Sequence, residues 1–369
     1  MAIFQDNLPK GRVLSVDALR GFDMFWIIGG SSLVASLMTR ANTPFTLAIA
    51  QQFQHSEWHG FTFEDLIFPL FLFIVGVSLS FSLTKRLERG DSRKDLYIQI
   101  LKRTLILYFL GMIINAKLIG YLGGLRYTGV LPRIAFCYFF ASLIVMNFDF
   151  RRQAIWAVAL LIGYWLAMTL IPVPGYGAGV FTPEGSLASW LDRMYLPGQL
   201  RTKLYDNEGI MSTFPAVATT LFGVLSGGWL RREISPNRKV LGLVGAGAAG
   251  LALGLAWNII FPINKLLWTS SFALFAGGIS ILLLALFYWL IDVRGYRKWA
   301  FPFVVVGLNS ITIYFAQGIF DFGLIVTVFV HEFAGHLGSY RSLFLTVCVI
   351  TVKWLFLYIL YRKKIFLRA

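Results

Sequence analysis

The chain has 369 residues, 57% of them hydrophobic and 14% charged, with a formal net charge of +15 and a mean hydropathy of +0.70. Soluble domains are apolar in only about 45–50% of their residues, so this balance excludes a water-soluble globular protein. The apolar runs are unbroken, which excludes a β-barrel with its alternating strands.

A helix needs about 20 apolar residues to cross a bilayer. Ten such spans are read near 17–38, 62–84, 97–116, 129–147, 153–172, 212–230, 239–259, 266–291, 301–318 and 342–361. The fold class is therefore all-α: a polytopic membrane protein of about ten transmembrane helices, taken as one domain over 1–369. The basic excess follows topology. With this set of spans, 23 of the 33 Lys and Arg fall in the N-terminal stretch through Arg20 and in 85–103, 151–152, 231–239, 294–298 and 362–368. Nine fall on the opposite side and Lys353 lies within a span. This positive-inside bias puts both termini in the cytoplasm, and it removes the case for a nucleic-acid partner. Residues 1–16 are polar and the first apolar run continues into a full span, so no cleavable signal is expected. Cys137 and Cys348 both fall within spans, where packing is their expected role.

The first span carries Asp17, Arg20 and Asp23 at its start, with Ser15 placed to cap the helix. Each Asp is three residues from Arg20, so one Asp–Arg pair is expected. Asp23 lies a turn deeper. The next connection holds the densest chemistry in the chain: His55, Glu57, Trp58, His59 and Asp65, against the start of the second span. Ionisable groups this close to hydrocarbon usually serve a function. Three readings stand. His55 and His59 are four apart and could share a metal with Glu57 or Asp65. A neutral imidazole could be a general base oriented by Asp65. The cluster could simply join Trp58 in an interfacial belt.

Further along, the 85–103 segment has more cations than topology needs. Asn115, Arg133 and Asn309 place polar groups in or beside spans three, four and nine, as a pathway or site would. The connection 173–211 is rich in Pro and Gly and carries Trp190, Asp192, Arg193, Arg201, Asp206 and Glu208. It is either a lid or binding loop outside the membrane, or a plain surface connection. Gly250 and Gly254 form a GxxxG in the seventh span, and Gly227–Gly228 and Gly277–Gly278 add small residues for close helix packing. His331-Glu332-Phe333-Ala334-Gly335-His336 misses the zinc-protease motif, since its second His is five on rather than four; it is read as an exoplasmic loop. The chain ends in Arg362, Lys363 and Lys364, which suit a lipid-headgroup anchor or a clamp for a phosphorylated cofactor.

Five segments together resemble one family: SVDALRG at 15–21, HSEWHGFTFEDLIFP at 55–69, GVLPRI at 129–134, GLNSI at 307–311 and YILYRKKIF at 358–366. They are similar to the transmembrane acyltransferases that include the lysosomal heparan-α-glucosaminide N-acetyltransferase, in the form of a shorter, bacterial branch. The resemblance implies acetyl-CoA bound from the cytoplasmic side of a bacterial inner membrane. It implies transfer of the acetyl group to the amine of a glucosamine-type acceptor on the other side, with no metal. It maps the active-site His onto His55 and its DLxFP Asp onto Asp65. Arg133, Asn309, Ser31 and Trp58 would line the acceptor site, and Arg20, Arg362, Lys363 and Lys364 would hold the cofactor. The sequence departs from the family at two points. Gly29-Gly30-Ser31-Ser32 stands where the lysosomal enzyme carries an Asn, so Ser31 or Ser32 would substitute. His59 also stands at an Asn position, which weakens the two-histidine metal reading. Membrane lipids are expected partners, and a homodimer is left open. A transporter of N-acetylglucosamine-type sugars is the competing reading, with Asp23, Asn115, Arg133 and Asn309 as its polar path.

Overall fold

The computed structural model describes residues 13–119 and 124–366. The polar stretch 1–12 and Arg368 of the terminal cations lie outside them. The described residues are helical, with only two isolated β-bridges, Arg126 with Gly198 and Val173 with Gly177. Among them, nine helices are long and apolar enough to cross a membrane, or ten when one bent pair counts as a single span. Each coincides with a predicted span. The protein is an all-α polytopic membrane protein.

The chain divides into two units, each described by itself. The first comprises Met1–His55, Thr62–Ile67 and Leu286–Ala369. Its first span is broken. Helix α1 (Leu14–Phe25) runs into a π-helical stretch, Trp26–Gly30, and then into α2 (Ser31–Ala41). The break centres on Gly29, at φ 142°, a conformation open to glycine and strained for other residues. Lys353 stabilises it: its Nζ donates to the Ile28 carbonyl at 2.9 Å and to Gln317 Oε1 at 3.0 Å. A freed carbonyl inside a membrane needs such a partner. The predicted Ser15 cap does not form. Val13 is the N-cap residue, and the backbone N–H of Ser15 donates to Asp292 Oδ2 instead.

Helix α3 (Pro44–Gln52) follows, capped by Thr43 and Thr46, and the unit takes in the start of α4 (Phe63–Leu79). In the second unit, α5 (Arg93–Ile119), α6 (Val130–Asn147), α7 (Phe150–Leu170), α8 (Leu187–Tyr195), α9 (Thr213–Leu230) and α10 (Pro236–Trp257) follow one another, and α11 (Ser270–Tyr288) is the last span to begin there. The chain then returns to the first unit with α12 (Phe301–Leu308), α13 (Ser310–Ile319), α14 (Phe322–Gly335) and α15 (Arg341–Arg362). The predicted ninth span is α12 and α13 together, bent by 69° at Asn309. Residues 331–335, expected in a loop, are the end of α14, whose apolar sequence extends the helix to Gly335 and leaves His336 at its C-cap.

Glycines set the closest helix contacts. A Cβ on Gly21 of α1 would sit 1.7 Å from the Phe303 carbonyl oxygen of α12, and one on Gly307 would sit 1.9 Å from the Asp17 oxygen. The two backbones touch because neither glycine has a side chain. Gly21→Ala and Gly307→Ala are each expected to cost about 1–3 kcal/mol through overpacking, read as a lower melting temperature in detergent. Gly163→Ala, whose Cβ meets nothing within 4 Å, serves as the neutral control.

The second unit repeats the device. Gly76 of α4 approaches the Thr220 oxygen of α9 and Gly223 the Phe73 oxygen of α4, both at 1.9 Å from the built Cβ. The GxxxG of α10 packs as read: Gly250 meets Gly278 and Gly254 meets Phe275, both on α11. The 173–211 segment is not wholly irregular. Ser186 caps α8 within it. Val173, Leu187 and Ala188 pack against Tyr164, Met168, Phe261 and Leu267 in a buried apolar cluster.

Candidate active site

In the first unit the connection from α3 to α4 builds a histidine–carboxylate pair. Asp65 falls in the first turn of α4, one turn past Thr62. It reaches back so that its Oδ2 accepts the Thr62 backbone N–H at 3.1 Å, as an acidic residue at this place in a helix commonly does. Thr62 is held in turn, its hydroxyl reaching the Gln54 carbonyl oxygen at 2.7 Å. The carboxylate is fully buried, and its other oxygen, Oδ1, lies 3.0 Å from His55 Nδ1. Because Asp65 is already turned by Thr62, its remaining oxygen selects the imidazole tautomer that carries the proton on Nδ1. Nε2 then keeps its lone pair. The His55 side chain is 56% exposed, so the ring stays accessible.

Rings fix this connection to the break in the first span. Trp26 meets Phe53 at 5.4 Å and Phe63 at 4.9 Å between ring centres, and Phe53 meets Phe63 at 5.3 Å. Ser31, one residue past the break, is buried.

The same unit gathers the expected cofactor residues. Arg20 Nη1 donates to Asp17 Oδ1 at 3.1 Å and reaches the Gly307 carbonyl at 3.3 Å. Asn309, at the bend, donates from Nδ2 to the Ile365 carbonyl at 3.1 Å. Arg20 and the Ile365 backbone, next to the exposed Arg362, Lys363 and Lys364, therefore both meet the end of α12 and its bend. Asn309, which the resemblance groups with the acceptor residues, here meets the backbone next to the basic terminal segment. The expected Asp–Arg pair is the one with Asp17, and Asp23 is buried with neither oxygen hydrogen-bonded among the described residues.

Trp58, His59 and Arg133 belong to the second unit. Trp58 Nε1 donates to the Phe181 carbonyl at 2.7 Å, pinning the 173–211 segment. His59 Nδ1 pairs with Asn264 at 3.3 Å, a different partner from that of His55. No group of three or more His, Cys, Asp or Glu side chains is placed to hold a metal among the described residues. Arg133 is buried, its Nη2 donating to the Gly209 carbonyl at 3.1 Å and to Ser212 Oγ at 2.5 Å, with its guanidinium 5.3 Å from the Trp268 ring.

Asp192 of α8 accepts the Ile210 N–H at 2.9 Å. Burial pushes its carboxyl up to about 7, with the Asp206 charge adding to the rise and Arg133 and the Ile210 hydrogen bond opposing it. The folded protein thus holds this proton more tightly than the unfolded chain does. The stability it contributes is complete at acid pH below the ordinary carboxylate range and is lost as pH rises through about 7. The melting temperature is expected to fall between pH 5.5 and 8 by several degrees, and Asp192→Asn is expected to flatten that fall.

Sequence reasoning missed two arrangements. One is the Lys353 bond to the helix break; the other is an ion cluster in the second unit. Arg126 there grips Asp206 through Nε at 2.9 Å and Nη2 at 2.6 Å, and also bonds Glu208. An Arg just before the GVLPRI motif and an Asp and a Glu near the end of 173–211 were the available signals.

The chain is thus a multi-pass membrane protein in which a buried carboxylate holds an exposed imidazole. Residues 12–184 match a family described as a domain of unknown function (DUF5009). The chain is 28% identical over 374 residues to heparan-alpha-glucosaminide N-acetyltransferase of Homo sapiens, covering 85% of this chain and 55% of that protein. It is 28% identical over 424 residues to the same-named protein of Mus musculus, covering 98% of this chain and 62% of that one. The resemblance drawn from the five motifs is therefore borne out over most of the chain, which spans somewhat more than half the length of these relatives.

Proposed function

We propose that this protein is a transmembrane acetyltransferase. In this reading it passes the acetyl group of acetyl-CoA, bound at the cytoplasmic side of a bacterial inner membrane, to the amine of a glucosamine-type sugar on the other side. The observation that carries the reading is the 3.0 Å bond from His55 Nδ1 to the buried Asp65. The name of the relatives supports the substrate class.

Nε2 of His55 would take the proton of the attacking amine, whose nitrogen forms the amide bond as the thioester C–S bond breaks. The CoA thiolate leaves and takes up a proton. Asp65 stabilises the imidazolium that forms. In a two-step route the same nitrogen attacks the thioester, carries the acetyl group and passes it to the amine. The Arg20, Arg362, Lys363 and Lys364 cations suit the phosphates of CoA. Arg20 and Trp26 are six residues apart, about 9 Å along the helix, and Trp26 touches Phe53 and Phe63 of the connection that carries the dyad. The thioester arm would bridge that interval.

Purified full-length protein is expected to transfer labelled acetyl from acetyl-CoA to glucosamine, with one free thiol released per amide formed. Two broken helices, at Gly29 and Asn309, favour a second reading, since broken spans mark the substrate sites of transporters. Uptake of labelled N-acetylglucosamine into proteoliposomes without acetyl-CoA, together with no thiol release, would establish the transporter instead.

A further inference from the structure

A cavity of about 690 Å³ in the first unit lies between the Trp26–Gly30 break, the start of α2 and the length of α15. Ser32 lines it at the start of α2, and none of its lining residues takes part in the acetyl-transfer steps above. Its wall is apolar, made by Ile27, Leu345, Val349 and Ile350, and its rim is polar, with Ser339, Arg341 and Ser342. Lys353 closes the far end, where its ammonium is held by Ile28 and Gln317. Twelve residues of α15 separate Arg341 from Lys353, about 18 Å of helix.

Arg341 lines the rim, and Arg40 lies beside it. Arg40, at the end of α2, donates to the backbone oxygen and hydroxyl of Ser339, and its guanidinium lies 3.6 Å over the Tyr340 ring. Arg341 follows as the first residue of α15. Neither arginine joins an ion pair among the described residues. Two such guanidiniums with the Ser339 and Ser342 hydroxyls suit a phosphate. The wall beneath suits hydrocarbon. α15 also exposes Val347, Leu355 and Ile359, an apolar surface for the bilayer along the span that lines the cavity.

We infer that this cavity binds one phospholipid, its phosphate on Arg40 and Arg341 and an acyl chain along Leu345, Val349 and Ile350. Lys353 is engaged with the broken helix and is not a phosphate ligand. A water-soluble phosphate ester would leave the apolar wall unfilled, so the lipid is the favoured source. The bound chain would brace Ile27 and Ile28 in the break, next to Trp26. This inference is independent of the acetyl-transfer reading.

Native mass spectrometry of the full chain, delipidated in detergent, tests it. Dioleoylphosphatidylglycerol is expected to be retained at one copy per chain and to raise the melting temperature, with dioleoylglycerol and glycerol phosphate doing neither. Arg40→Gln with Arg341→Gln should weaken retention by about tenfold or more, as the loss of charge-assisted contacts implies. Leu345→Trp, which fills the wall and keeps both charges, should also block retention, and it decides the matter if the double variant fails to fold. Equal retention of dioleoylglycerol, unchanged retention in these variants, or stabilisation by glycerol phosphate alone would overturn the lipid site.

Discussion

His55→Ala is expected to lower acetyl transfer by about 10³-fold or more, and Asp65→Asn by about 10²–10⁴-fold, each with little change in melting temperature. The first removes the imidazole that, among the described residues, is held by a buried carboxylate. The second is the more informative because its effect follows from one neighbour. Thr62 presents a backbone N–H to Oδ2 of residue 65, and an N–H only donates. In the Asn variant the amide oxygen therefore stays on Thr62, and the NH₂ group turns toward His55 Nδ1. Nδ1 must then accept, the ring proton moves to Nε2, and the nitrogen needed as base or acyl carrier is blocked. The expected signature is a fall in kcat at unchanged KM for acetyl-CoA. An Asp65→Asn protein within threefold of the parent would remove the dyad from the mechanism. Labelled acetyl retained on the parent protein, and not on His55→Ala, in the absence of acceptor would select the two-step route.

The reach of the sequence differs by element. All ten spans were legible because membrane helices satisfy their backbone internally and advertise themselves by length and hydropathy. The pair His55–Asp65 was legible too, since ten residues and one helix start separate its members. The breaks were not. Gly29 and Asn309 sit in runs whose hydropathy continues past them, and partners such as Lys353 with Gln317 and the Ile365 carbonyl meet the irregular backbone. Those partners lie tens to hundreds of residues away in the chain. Helix α14 was read as part of a loop because its ionisable end, His331 to His336, resembled a motif more than a helix terminus. The glycine contacts fell between these cases: Gly250 and Gly254 announced a packing face by spacing, whereas Gly21 and Gly307 needed each other.

Arg126→Ala is expected to destabilise the second unit by about 3–5 kcal/mol, the usual cost of stranding a buried charge. Asp206 has no side-chain exposure. Besides both arms of Arg126, it accepts the Thr128 hydroxyl at 2.8 Å and the backbone N–H groups of Arg201 at 3.0 Å and Glu208 at 2.9 Å. Burial alone would raise this carboxyl, but the Arg126 hydrogen bonds and charge hold it below its ordinary value. Burial likewise works against the Arg126 charge, and its bonds to Asp206 and the charges of Glu208 and Asp206 more than offset it, leaving that pKa raised. The sign for acid follows: a carboxyl depressed in the folded state contributes stability above the ordinary carboxylate range and loses it as pH falls below that range. Removing Arg126 withdraws that contribution at every neutral pH. Arg126→Lys would rescue little, because one ammonium cannot make the two-armed contact. The loss would appear first as local opening, since the Gln199 N–H bond to the Leu125 carbonyl, at 3.1 Å, and the Arg126–Gly198 bridge join the same two segments. Limited proteolysis should therefore cut Arg126→Ala near residues 198–210 before the parent protein is cut there. Arg126→Gln combined with Asp206→Asn should lose less than the two single changes summed, because the double variant strands Glu208 alone rather than Asp206 and Glu208 together. Additive losses, or an unaltered cleavage pattern, would show that the cluster does not hold the 173–211 segment in place.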